Sequence, residues 1–192
     1  RNKKTIAISV KLTEMLRKQC PISENIMILH DAASIVKKEN VTSFIKNRKR
    51  FKVGYFGHLY SGRGISVIKT LAKKMIDVDF YVVGGDEENI NKLKLININR
   101  LHILGFLKNL IARSLMSEMD LLLMPYQRKV SIGIDKSDTS KWMSPLKMFE
   151  YMSSKTPLIS SNLPVLREVL EHEKNCLLVD PDSIYQWHEA IV

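Results

Sequence analysis

From Lys52 onward, short apolar runs alternate with longer amphipathic stretches, and this alternation restricts the possible folds more than any other feature of the chain. Lys52–Phe56, Val78–Val83, Leu101–Leu104, Leu121–Met124, Pro157–Ser160 and Cys176–Val179 read as strands. Gly64–Lys74, Glu87–Leu95, Leu107–Met119, Pro145–Ser154, Pro164–Glu173 and Asp182–Val192 read as the helices that follow them. Several strands are apolar throughout rather than at every second position, as strands covered on both faces must be. Strand–helix–strand order with covered strands implies parallel pairing through right-handed crossovers. The expected fold class is therefore α/β, a doubly wound parallel sheet. Ligands bind such sheets beyond the carboxyl ends of the strands. That singles out the loops Gly57–Gly64, Gly84–Glu88, Gly105–Leu107, Pro125–Ser144 and Ser161–Leu163.

Upstream, apolar runs at Thr5–Val10 and Asn25–His30 flank a helical stretch, Lys11–Gln19, which Pro21 terminates. Ser34–Arg50 is polar, basic and without a period, the pattern of a linker. The division expected is residues 1–34 as the end of one domain, 35–50 as a basic linker and 51–192 as a second domain. The last helical pattern breaks off and the first strands are not needed by the later six, so both ends read as cut from something longer.

The net charge of +10 is unevenly placed: residues 1–52 hold 13 Lys and Arg against 4 Asp and Glu, and residues 53–192 hold 17 against 16. A nucleic-acid binder carries its basic face through the folded body, so no nucleic-acid partner is expected. The basic stretch reads either as a solvated face or as a peripheral contact with an anionic membrane. No apolar run reaches the ~18 residues of a membrane span and no signal peptide precedes the first strand. A cytoplasmic location is expected, extending to the inner face of the membrane. Cys20 and Cys176 form neither a ligand cluster nor a disulfide framework.

Two segments can carry chemistry. Gly57-His58-Leu59-Tyr60-Ser61-Gly62-Arg63-Gly64 directly follows the first strand of the set. Its glycines permit tight turning and close approach, the next helix N-terminus attracts anions, and Arg63 offers a fixed fork of donors for phosphate. The plain alternative is a glycine-rich turn with a surface arginine, and spacing alone favours neither. The G-x-G-x-x-G pattern is absent, and a P-loop would need Lys and Ser/Thr where Arg63 and Gly64 stand. The second segment is Ser144-Pro145-Leu146-Lys147-Met148-Phe149-Glu150-Tyr151-Met152. Ser144 suits an N-cap and Pro145 a first helical position. Pro145, Phe149 and Met152 fall on one face for packing, and Lys147, Glu150 and Ser154 on a polar one. The plain alternative here is a Lys147–Glu150 surface pair. Asp86–Glu88 read as charges at a helix start, and His30-Asp31 as a turn device. His102, His172 and His188 lack metal-ligand spacing, and no catalytic triad assembles.

Taken in order, these segments resemble the family 4 glycosyltransferases, whose GT-B fold pairs two Rossmann-like domains. Thr5–Ser9 and Asn25–Asp31 resemble the end of the N-terminal domain; Lys52–Gly64, Leu101–Leu107, Asp120–Pro125, Ser144–Met152, Thr156–Ser161 and Asn175–Pro181 resemble successive motifs of the C-terminal, nucleotide-sugar-binding domain. The agreement of independent segments in order and spacing carries the resemblance. It implies transfer of a sugar from a nucleotide-diphosphate donor to an acceptor hydroxyl, on a glycan or lipid-linked acceptor in cell-envelope polysaccharide synthesis, with retention at the anomeric carbon. It implies that Arg63 contacts the donor diphosphate, that the main chain around Pro145–Lys147 helps hold the phosphates, that Glu150 binds the ribose and that main-chain groups near Phe106 and Leu107 flank the base, with Gly57, His58, Ser144, Pro145, Leu146 and Lys147 also counted among the donor-binding positions. No metal or other cofactor is expected, and no catalytic nucleophile can be named. Trp142 stands where the family usually has a glutamate, His58 where it often has a basic residue, and Pro145 where it usually has glycine. Much of the acceptor site would lie on the N-terminal domain, so the 192 residues alone are expected to bind nucleotide weakly and to transfer nothing. A non-catalytic nucleotide-binding module, favoured by Trp142, and a basic nucleic-acid or membrane-surface binder remain the alternatives.

Overall fold

The computed structural model describes residues 5–19, 26–36, 44–45, 49–134 and 136–192. Most of the stretch read as a basic linker, residues 37–43 and 46–48, lies outside the described residues. Six parallel strands form the main sheet: β3 (Phe51–Phe56), β4 (Val78–Val83), β5 (Leu101–Gly105), β6 (Leu121–Met124), β7 (Leu158–Ser161) and β8 (Leu177–Val179). Their spatial order is β5-β4-β3-β6-β7-β8, the doubly wound arrangement expected from the sequence. The chain winds outward from β3 in one direction and, after returning to β6, outward in the other. The point where the winding reverses lies between β3 and β6, and an open α/β sheet forms its ligand crevice there.

The helices divide between the two faces of the sheet. Leu71 of α2 (Ile65–Lys74), Leu93 of α3 (Glu87–Lys94) and Trp187 of α6 (Ile184–Ile191) are buried in the core on one side. Leu115 of α4 (Asn109–Met116), with Met148 and Tyr151 of α5 (Leu146–Ser154), is buried in the core on the other. β4 is buried at all six positions, which explains its unbroken apolar run apart from Asp79. Burying one side chain such as Leu71 or Leu122 stabilises the fold by ~1.5–3 kcal/mol, so these two layers hold the sheet rigid beneath the loops at its carboxyl edge.

Boundaries of the main sheet and its helices agree with the sequence reading to within two residues, except that the helix read as Leu107–Met119 stops at Met116, three residues short; there are two further corrections. Pro164–Glu173 does not form a helix; only Leu166–Glu168 makes a single 3-10 turn. The Asn175 side chain accepts a hydrogen bond from the Glu171 N–H at 2.9 Å and donates to the Val169 carbonyl at 3.0 Å, so these main-chain groups are taken up outside a helical ladder. The second correction concerns α5. Pro145, not Ser144, occupies the N-cap position, and the Ser144 hydroxyl is buried without a hydrogen-bond partner. The packed face of α5 is Met148 and Tyr151, turned by about a residue from the expected Pro145–Phe149–Met152 face; Met152 is largely exposed.

A separate two-stranded parallel sheet joins β1 (Thr5–Ala7) to β2 (Ile26–Ile28) through α1 (Val10–Gln19). Ser9 caps α1 by accepting from the Leu12 N–H at 3.0 Å, and its hydroxyl donates to the Trp142 carbonyl at 3.0 Å. The Glu168 carboxylate accepts from the Val10 and Lys11 N–H groups at 2.7 and 3.0 Å. An anion at a helix N-terminus is a favourable match of charge and donors, and here it links this small sheet to the larger one. His30 contacts the Ile8 carbonyl through Nδ1 at 3.0 Å, joining segments 22 residues apart rather than closing a local turn. Among the described residues, no helix is long and apolar enough to cross a membrane.

Candidate functional site

β3 and β6 pair only at Val53–Leu121 and Gly54–Leu122 before they part. Tyr151 of α5 fills the gap: its hydroxyl accepts from the Phe56 N–H at 2.7 Å and donates to the Phe56 carbonyl at 3.2 Å. Directly beyond Phe56 the chain turns at Gly57 and a crevice of about 520 Å³ opens, within the range of small-ligand sites. Gly57, His58, Arg63, Phe106, Leu107, Pro145, Leu146, Lys147 and Glu150 all line it. Nine of the ten residues selected from the sequence therefore converge. Ser144 is the one that does not line the crevice.

The loop before α2 reaches this position because two glycines allow it. Gly64, the N-cap of α2, has φ of +83°, and a Cβ there would lie 1.9 Å from the Pro125 carbonyl oxygen. Gly84, at the end of β4, has φ of +105°, and its Cβ would lie 2.4 Å from the Gly57 carbonyl oxygen. Both positions combine a left-handed backbone with main-chain contact, which glycine alone tolerates.

Arg63 is held by the loop after β6: Nη1 donates to the Tyr126 hydroxyl at 2.7 Å and Nε to the Ser131 carbonyl at 3.2 Å. Its Cζ lies 5.1 Å from the Tyr126 ring centroid. Lys147 reaches the same ring from the other side of the crevice. Its Nζ is 4.9 Å from the Tyr126 centroid and 4.2 Å from that of Tyr55, distances at which a ring face attracts a cation. The residue as a whole is only half-buried, but Nζ has no exposed surface and no hydrogen-bond partner. Burial, and then the nearby Arg63 charge, hold its pKa well below the ordinary lysine range; Glu150 pulls weakly the other way. Burial raises the Tyr126 and Tyr55 pKa values, so both hydroxyls stay protonated and supply no counter-charge.

The plain i,i+3 surface pair does not form: the Glu150 Oε1 instead accepts from Asn109 Nδ2 at 3.2 Å. His58 lies flat on Tyr60, with ring centroids 4.9 Å apart, and its carbonyl accepts from the Tyr55 hydroxyl at 2.5 Å. Phe106 stands at the mouth, 77% exposed. Asp86 behaves as a helix cap, accepting from the Asn89 N–H at 2.9 Å. Trp142 does not line the crevice. Sequence reasoning missed Tyr55, Tyr126, Asn109 and the placement of Gly84. Tyr126 and Gly84 lie in loops the reading had named, but only the folded chain shows that they meet Lys147 and Gly57. Among the described residues, no three His, Cys, Asp or Glu side chains gather as a metal site.

A parallel sheet with a crevice at its switch point, lined by Arg63, Lys147 and Glu150, is the arrangement in which open α/β sheets bind ligands. The chain belongs to the group 1 glycosyltransferases, whose family model matches residues 50–192. The O-antigen chain mannosyltransferase RfbU of Salmonella typhimurium is 26% identical over 153 residues, 80% of this chain and 34% of that protein. Anabaena HepE, solved in complex with UDP-glucose, superposes with a TM-score of 0.73 at 20% identity, over 98% of this chain and 52% of HepE. The C-terminal domain of the group 1 protein LpcC from Francisella tularensis superposes with a TM-score of 0.56 at 20% identity, over 81% of this chain and 82% of that domain. The expected C-terminal position within a GT-B protein agrees with this match. The chain spans about a third of RfbU and about half of HepE.

Proposed function

We propose that this chain is the donor-binding part of a glycosyltransferase and that its crevice holds the diphosphate of a nucleotide sugar. The observation that carries the reading is Lys147: a buried amine with no hydrogen-bond partner, beside a fixed arginine, is complementary to a multiply charged anion that completes it. Glu150, presented on the same helix three residues on, is placed to accept from ribose hydroxyls. Phe106 and Leu107 bound the end of the crevice that the base would occupy. Ser144, which does not itself line the crevice, precedes Pro145 at the start of α5 with its hydroxyl buried and unpartnered.

In transfer, the bond between the anomeric carbon and the diphosphate oxygen breaks, with its electron pair leaving on the diphosphate. The acceptor oxygen bonds to the anomeric carbon and loses its proton. Arg63, Lys147 and the starts of α2 and α5 stabilise the negative charge that develops on the leaving group, and one well-placed donor in such a site contributes typically ~3 kcal/mol. These cations take the part a metal has elsewhere, so donor binding is expected to persist in EDTA. Retention of configuration, a glycan or lipid-linked acceptor in envelope polysaccharide synthesis, and action at the inner face of the membrane complete the proposal. The 192 residues alone are expected to transfer nothing.

A nucleotide-binding module without transfer is the competing reading, and Trp142 favours it. The two separate in full-length protein. Arg63→Ala and Glu150→Ala should each lower transfer at least about tenfold, the effect of losing ~1.4 kcal/mol. Wild-type rates in both variants would remove this crevice from the reaction. A full-length protein that binds donor without turnover would establish the binding module.

A further inference from the structure

We propose that a nucleoside diphosphate enters this crevice together with a proton, which is taken up by the Lys147 amine. The inference rests on the diphosphate reading above and deepens it. Its basis is the set of groups around Nζ and along the crevice wall beside it. From β3 comes the Tyr55 ring, 4.2 Å away, its hydroxyl already committed to the His58 carbonyl. From the loop before α2 come His58 and the Arg63 guanidinium, which is tied to Tyr126 and Ser131. From the loop after β6 comes the Tyr126 ring, 4.9 Å away. From α5 itself comes Glu150, bound to Asn109. Nothing in this set accepts a hydrogen bond from Nζ.

A lysine charged in these surroundings would have three donors without acceptors and a permanent positive neighbour, with two ring faces as its compensation. Burial and Arg63 accordingly favour the neutral amine. The diphosphate reverses that balance. Its oxygens accept from the ammonium and its charge offsets both cations, so the bound state favours Lys147 in its protonated form. The proton comes from solvent, the amine lone pair accepts it, and no bond in the nucleotide changes. Linkage then requires affinity to fall as pH rises between the Lys147 pKa of the empty and of the filled crevice, by up to about tenfold per pH unit.

The test is isothermal titration of the 192-residue chain with UDP, GDP and ADP at pH 8, in Tris and in HEPES, whose ionisation enthalpies differ. At this pH the terminal phosphate is already ionised, with a pKa near about 6. The binding enthalpy should differ between the buffers in the sense of net proton uptake on binding. The affinity of wild type should also fall from pH 8 to pH 9. In Lys147→Arg, which keeps a cation that cannot lose its proton, the buffer dependence should vanish at whatever affinity remains. Equal enthalpies in both buffers for wild type, or uptake that persists in Lys147→Arg and so belongs to His58, would overturn the proton coupling and leave the diphosphate reading intact. If Lys147→Arg does not bind, a wild-type affinity that is flat with pH overturns the coupling by itself. Failure of all three nucleotides to bind wild type overturns both.

Discussion

Replacing Lys147 with methionine keeps the stem and removes the charge, and its effects on stability and on binding should run in opposite directions. The folded chain holds the Lys147 pKa below its ordinary value, chiefly through burial. The unfolded chain therefore binds this proton more tightly, and the contribution of Lys147 to stability improves as pH rises from the folded pKa towards ~10.4. Lys147→Met should raise the Tm of the ligand-free chain at pH 7, by ~2–4 °C for each kcal/mol relieved. It should flatten the rise in Tm between pH 7 and pH 9, and it should abolish stabilisation by nucleoside diphosphates. A lower Tm for the variant would show that the lysine is not under electrostatic strain. Tyr126 is the other informative side chain, since its ring faces Lys147 while its hydroxyl accepts from Arg63. Tyr126→Phe leaves the ring and removes the acceptor. Hydrogen bonds to charged groups contribute ~1.5–3 kcal/mol, so calorimetry should find diphosphate affinity lowered by about tenfold or more. Unchanged affinity would mean that Arg63 needs no such anchor.

At the scale of elements, two joints position the site. The first is the start of α2, where Gly64→Ala puts a Cβ 1.9 Å from the Pro125 carbonyl oxygen at φ of +83°. The left-handed backbone alone costs ~1–2 kcal/mol, so the Tm should drop by more than about 4 °C, and a drop of less than this would show that the loops can separate freely. The second joint is Glu168, whose carboxylate caps α1. Losing a helix cap typically costs ~1 kcal/mol. Glu168→Ala should make α1 the first site of proteolytic cleavage while leaving the crevice and nucleotide binding unchanged; a cleavage pattern identical to that of wild type would count against the joint. The sequence did not announce this role. It read Glu168 as part of a helix over Pro164–Glu173, because the apolar spacing of Leu163, Leu166 and Leu170 fits one and the competing side-chain bonds of Asn175 are invisible in periodicity. Strand apolarity, by contrast, was sufficient to locate β3 to β8, because both faces of this sheet are buried and burial is what periodicity records.

For the molecule as a whole, the winding of the sheet turns two distant segments into one site. Residues 57–64 and 144–150 were legible as separate candidates because glycines, a proline and charges at helix starts have local signatures. Their convergence follows from the strand order, which places β3 beside β6. What remained hidden was the interior of the crevice. Tyr55 and Tyr126 carry no signal of their own, and their contact with Lys147 exists only after α5 packs through Met148 and Tyr151. The account therefore depends on an anion seated between Arg63 and Lys147. The most direct measurement is a crystal structure of the chain with the best-binding nucleoside diphosphate among UDP, GDP and ADP. It should show phosphate oxygens within hydrogen-bonding distance, ~2.7–3.2 Å, of Lys147 Nζ and the Arg63 guanidinium, with the ribose at Glu150. A nucleotide bound elsewhere, or one whose phosphates lie outside the crevice, would contradict it.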